Sequence, residues 1–215
     1  MWQVYTNFSL LAVLLILVLL QLKRLNPSLK AIGIFAAVTA CFHLWAAYHF
    51  VFTKKNNQYI FHILTPIQYS LLVLYFYFLP QMTKLRQLLL YSIVVFVSFS
   101  LVISLTVQPF EQYNSYGLIL QNLLIVLWSL IYFRNILREE EFQDLKSQPE
   151  FFITAGLLFF GLGDFFLEGI MNYMINNKMK ESIQLYYTSE ILSFVLYTLF
   201  IIAFLVNFIK KNPEK

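Results

Sequence analysis

The sequence predicts an all-α integral membrane protein, a seven-helix bundle with its N-terminus outside and its C-terminus in the cytoplasm. Three observations carry this. The chain is 60% hydrophobic and 12% charged, where a soluble domain is about half apolar and a quarter charged. Its apolar residues gather into runs of about 20, the length a helix needs to cross a bilayer. Short polar breaks separate the runs, such as TKKNNQ at 53–58 and QPFEQYNS at 108–115.

Seven such runs are found, at 5–22, 31–52, 59–80, 87–107, 115–133, 150–172 and 187–208. They are too long for barrel strands and lack an alternating pattern, so each reads as a helix. With 6 glycines and 6 prolines in 215 residues, little chain is left for linkers, and residues 1–215 read as one domain. No internal repeat or low-complexity segment stands out.

The first run lies in MWQVYTNFSLLAVLLILVLLQLKRL. A secretory signal carries its positive charge before the apolar core and a small-residue cleavage site after it. Here nothing basic precedes the run, Lys23 and Arg24 follow it, and no A-x-A pattern appears. It reads as a retained helix that begins outside.

The second span carries His43 near its middle and His49 about one turn from its outer end, together with Cys41, the chain's only cysteine. A single cysteine excludes an intrachain disulfide. At 3.6 residues per turn the two histidines point about 120° apart, so one site would use one of them. The depth of His49 suits it better. His62, Thr65 and Gln68 occupy the outer half of the third span, where Pro66 predicts a kink. The fourth span adds Ser98, Ser100, Ser104 and Thr106, and Gln121 and Asn122 lie in the outer half of the fifth.

The connector RNILREEEFQDLKSQP at 134–149 sets a Glu139–Glu141 run beside Arg134, Arg138 and Lys146 and predicts a helical extension of the fifth span into water, first of all a solvated connector that stops near Pro149. It is a candidate docking surface for a cytoplasmic partner. In the sixth span, Asp164 lies near the middle and Glu168 about 6 Å further out, on nearly the same face. Gly156, Gly161, Gly163 and Gly169 predict close approach of neighbouring helices. Glu190 lies one turn inside the seventh span and shares a stripe with Tyr186 and Tyr197.

Basic residues set the orientation. With the N-terminus outside, the inner segments carry Lys23, Arg24, Lys30, Lys84, Arg86, Arg134, Arg138, Lys146, Lys210, Lys211 and Lys215. The outer ones carry only Lys54, Lys55, Lys178 and Lys180. That asymmetry follows the positive-inside rule. It also accounts for the net charge of +4, with no need of a nucleic-acid partner. Trp2, Tyr59, Tyr113, Tyr116 and Tyr186 fall near outer ends, as an aromatic belt requires.

In this arrangement the strongly polar intramembrane groups lie in the outer half, over an inner half nearly all Leu, Ile, Val, Phe and Tyr. Ionisable side chains in lipid normally face the bundle interior or a wet cavity. The sequence therefore predicts an outward-facing polar pocket formed by Asp164, Glu168, Glu190, His49, His62, Gln121 and Asn122. The chemistry suits a small extracytoplasmic ligand, a cation or a proton, in a sensory or receptor-like role without catalysis or a cofactor.

The alternative is a zinc-dependent lipid hydrolase, with His49, His62, Glu168 and Glu190 as ligands and Asp164 as general base. The seven-helix ceramidase and adiponectin-receptor group works that way, but places H-x-x-x-H in its last helix. The seventh span here has no histidine. It has no lysine either, which excludes a retinal Schiff base. A transporter is disfavoured because the inner half offers no polar path. Dense Phe, Tyr, Ile, Asn and Lys usage fits an AT-rich genome and a bacterial cytoplasmic membrane.

Overall fold

The computed structural model describes residues 2–54, 56–138, 144–177, 179 and 182–211; the side chains of 2–5, 176, 182, 183 and 211 are not described. Lys55, Glu139–Glu141, Lys178, Lys180, Lys215 and the side chains of Trp2 and Lys211 therefore lie outside the described residues.

Seven α-helices fall on the seven apolar runs: α1 Trp2–Gln21, α2 Pro27–Thr53, α3 Gln58–Tyr77, α4 Arg86–Thr106, α5 Ser115–Ile136, α6 Pro149–Asn176 and α7 Ser182–Lys211. Six of them, α2 to α7, are long and apolar enough to cross a membrane, while the apolar part counted for α1, Thr6–Gln21, is shorter. The surface agrees with immersion in lipid. Leu19, Leu20, Phe52 and Leu105 are each about 70% exposed, and a surface so rich in apolar side chains suits a bilayer rather than water.

Local chemistry explains the helix starts. Pro27 and Pro149 stand in the first turns of α2 and α6, where a missing N–H costs nothing. The Asn26 side chain caps α2 by accepting from Leu29 N–H at 2.9 Å. Its amide also donates to Glu150 Oε1 at 2.8 Å, tying the start of α2 to the start of α6. Pro66 sits within α3, which continues through it to Tyr77.

Two connections differ from expectation. A 3₁₀ turn, Pro80–Leu85, precedes α4. Beyond it Arg86 stacks over the Tyr77 ring at 5.2 Å and donates to the Tyr77 carbonyl. The predicted helical extension of the fifth span stops at Ile136. There the Asn135 amide donates to the Gln81 carbonyl at 2.8 Å and ties the helix end to the 3₁₀ turn.

Packing follows a closed ring: α1 on α2, α2 on α3, α3 on α5, α5 on α6, α6 on α7, and α7 back on α1. The fourth helix stands outside that ring, mainly against α3. Its span buries 22% of its apolar window, against 50% for α3.

Within the ring the two ends differ. At the end holding the C-termini of α1, α3, α5 and α7, large side chains fill the axis, with Tyr75, Phe76, Tyr132, Phe200 and Phe204 fully buried. This closed half is less purely apolar than the sequence suggests. Tyr75 meets Thr154 Oγ1 at 2.7 Å and the Glu150 carbonyl at 3.0 Å. Asn207 donates to Gln21 Oε1 at 2.8 Å, and Gln21 donates to the Phe204 carbonyl at 3.1 Å. The opposite half holds a cavity.

Candidate ligand cavity

The cavity has a volume of about 640 Å³ and is lined by all the ring helices, while α4 contributes nothing to it. Its carboxylates come from α6 and α7, with Gln121 and Asn122 from α5, and α1, α2 and α3 add Asn7, Thr39, His43, Gln58, Thr65 and Gln68. Gly161 of α6 makes the approach possible. A Cβ there would stand 3.3 Å from the Asn122 carbonyl and 3.0 Å from Val126 Cγ2, so glycine lets α6 lie against the α5 backbone. Gly163 similarly accepts Leu192 of α7. Gly169, expected to do the same, has nothing within 4 Å of its would-be Cβ.

Asp164 occupies the junction these glycines create. Its Oδ2 accepts from Asn122 Nδ2 at 2.9 Å and its Oδ1 from Ser189 Oγ at 2.6 Å. The carboxylate thus joins α5, α6 and α7, and both its oxygens are engaged. One turn on, Glu168 is as deeply buried, 5% exposed against 4%, but differently provided. Its Oε1 accepts from Tyr113 at 2.7 Å, while Oε2 has no hydrogen-bond partner among the described residues. Glu190, half-buried on α7, accepts through Oε2 from Asn7 Nδ2 of α1. The same Asn7 amide donates to the Glu190 carbonyl at 2.9 Å.

Over this wall lies the α4–α5 loop. Tyr113 turns inward to Glu168 instead of joining an aromatic belt at the lipid surface. Burial, and next the neighbouring Glu168 charge, hold its phenol well above the usual pKa near 10. Asn114 is buried and donates to Thr65 Oγ1 at 3.0 Å. Gln108 donates to Ser115 and accepts from the Tyr116 amide.

The candidates read from the sequence therefore divide. Asp164, Glu168, Glu190, Gln121 and Asn122 all line the cavity. His62 does not. Its ring meets Ser104 Oγ at 2.7 Å and the Gln112 carbonyl at 3.0 Å, in a separate groove between α3 and α4. There it pins the loop, with Phe110 5.3 Å from its ring.

His49 lines neither space; it faces Thr53 and the edge of Tyr59. His43 lines the cavity instead, held edge-on between Phe8 and Phe61 at 6.4 and 5.9 Å. Among the described residues no three of His, Cys, Asp and Glu gather as a metal-ligand set. The geometry thus separates the histidines and carboxylates that the zinc alternative needs together.

Sequence reasoning missed Asn7, Ser189 and Tyr113. Asn7 had a usable signal, as the one amide within the apolar run of the first span before Gln21. Ser189 sits beside Glu190 but on a different helical azimuth. Tyr113 is in a loop, where no periodicity shows which way a side chain turns.

Among the described residues lining the cavity there are three carboxylates and no lysine or arginine. Comparison of the chain with protein-family models, curated proteins and solved structures finds no significant match. The chemistry of the cavity has to speak for itself.

Proposed function

We propose that this is a single-domain, multi-pass membrane protein, N-terminus out and C-terminus in, whose cavity binds a small cationic ligand or a proton in a receptor-like, sensory role. The observation that carries the reading is Glu168. A buried carboxylate oxygen lacks a partner among the described residues, with Asp164 one turn away and His43 as the one imidazole, with no lysine or arginine, among the described residues of the lining. Two neighbouring carboxylates in a poorly solvated site repel when both are ionised, and a bound cation or proton offsets that repulsion.

The closed half supports recognition over passage. Beneath the cavity the rings of Tyr75, Phe76, Tyr132, Phe200 and Phe204 are fully buried, and polar groups among them are paired with one another, Gln21 with Asn207 and Tyr75 with Thr154. Orientation rests on the basic-residue asymmetry, and the choice of a bacterial cytoplasmic membrane on composition.

The reading is tested with purified, reconstituted protein and simple cations. Ammonium and methylammonium at millimolar concentration are expected to raise the Tm of the wild type by mass action and to leave Glu168→Gln unmoved. A wild type indifferent to every cation offered, sodium, potassium and calcium included, sinks the proposal.

A further inference from the structure

We infer that the cavity is built for an organic ammonium ion with a compact apolar body, its charged nitrogen on Glu168 Oε2 and its body against the apolar floor. The inference rests on the cation reading above and narrows it.

Three observations point the same way. The first is the kind of polar atom left without a partner. Glu168 Oε2, Gln121 Oε1, Asn7 Oδ1 and Gln58 Oε1 are all buried, all unpartnered, and all belong to cavity-lining residues. Every one is an oxygen acceptor. At Asn7 the assignment is fixed by its surroundings, because the amide nitrogen is committed to Glu190. A native interior rarely leaves such atoms unmet; water can donate to the three amide oxygens, and the buried Glu168 oxygen is the one that favours a donor carrying positive charge. An ammonium nitrogen brings up to three N–H donors and a positive charge.

The second observation is size. A volume of about 640 Å³ lies within the range of sites for drug-sized molecules, roughly 300–1,000 Å³, and far exceeds what a bare ion fills. No chelating set of the kind metal ions require gathers among the described residues.

The third is the apolar share of the lining, which lies among Thr39, His43, Thr65 and Gln68. Phe8, Phe35, Phe61, Phe160, Ile125 and Leu157 present rings and aliphatic groups to the same space. Water gains little against such a surface, whereas an apolar body is favoured there, and ring edges and faces pack well on an aromatic body. Polar wall and apolar floor together define an amphipathic cation.

The experiment compares four probes on the reconstituted full-length chain, reading Tm against concentration: ammonium, 2-phenylethylammonium, 2-phenylethanol and hexadecylammonium. The expected order has 2-phenylethylammonium acting at concentrations at least tenfold lower than ammonium, with the neutral alcohol ineffective. Hexadecylammonium, whose tail outruns the cavity, is expected to give no specific shift. Glu168→Gln should abolish the response to both short cations. Leu157→Phe, which fills the floor, should weaken 2-phenylethylammonium alone, and it keeps the test informative if the Glu168 variant fails to fold.

Equal potency of ammonium and 2-phenylethylammonium would overturn the inference and leave the cation reading standing. Equal action by the alcohol, or preference for the long-chain amine, overturns it too, the latter assigning the site to a lipid-borne ligand. Silence from every cation removes both.

Discussion

Gln21 and Asn207, both under 5% exposed, bond to each other across the α1–α7 contact. Tyr75, fully buried, is matched by Thr154 and the Glu150 carbonyl. At the other end of the same ring, Glu168, Gln121 and Asn7 are also buried, but each keeps an oxygen without a partner. For the buried amides and carboxyls, burial is alike in the two halves and satisfaction is not. Polar groups in an apolar bundle can serve as interhelical glue, and the closed half uses them so. In the cavity half, glue accounts for Asp164 with its two donors and fails to account for Glu168.

The sharpest way to break this contrast is to delete the two acids separately. Asp164→Ala takes from the buried Asn122 amide the acceptor it uses in the fold. Ser189 can turn back to the carbonyl of the preceding helical turn. The expected loss is about 2–3 kcal/mol, from two bonds to a charged group and one buried donor left unmet. Glu168→Gln replaces the carboxyl by a neutral amide that keeps an oxygen for Tyr113, and should change stability by under about 1 kcal/mol. Equilibrium unfolding of both variants in the same detergent checks the pair. Equal losses would mean that the two acids do the same structural work.

A smaller effect is expected in the closed half. Tyr75→Phe keeps the ring and its packing and removes one hydroxyl with two contacts. Thr154 can satisfy itself within its own helix, so the expected cost is about 1 kcal/mol. Cation responses should be unchanged, because Tyr75 is not part of the cavity lining. A Tyr75→Phe protein with altered ligand response would show that the two halves are coupled, and the division drawn here would fall.

How much of this could be read in the sequence follows from what each feature depends on. The helices were legible because a transmembrane run is a local property of about 20 residues, and each run carries its own signal. Asp164 and Glu168 face one space because four residues on a helix fix a shared face, whatever the neighbours do. Gln121, Asn122 and Glu190 line the cavity as their depths suggested.

Depth fails for the histidines. His49 and His62 lie at the expected level, yet nothing within a single helix says which azimuth will face the bundle axis. That is set by the ring order, in which α4 packs on the outside of α3 and His62 of α3 faces the groove between them. The same global fact hid Asn7, whose importance appears only when α1 closes the ring on α7. Tyr113 was hidden differently, by a loop that folds inward.

That loop supplies the smallest predicted effect, and one that reaches the cavity from outside the helices. Tyr113 donates to Glu168 Oε1, and burial keeps its phenol neutral well beyond the pH at which a free tyrosine ionises. In the unfolded chain the same phenol loses its proton near pH 10. Below that pH both states hold the proton and Tyr113 makes stability neither rise nor fall with pH. Above it the unfolded state sheds a proton that the folded state retains, so stability declines as pH rises, by up to about 1.4 kcal/mol per pH unit for one group. At pH 10.5 the accumulated loss is still under about 1 kcal/mol. The check is the difference in unfolding free energy between wild type and Tyr113→Phe from pH 9 to 10.5. The difference should be nearly flat around pH 9 and shift in favour of the variant, which has no proton to lose, as pH rises through 10, about half of the shift being present at pH 10. A flat difference throughout would mean that Tyr113 ionises as freely in the folded protein as in water, and the loop would not be sealing the Glu168 end of the cavity.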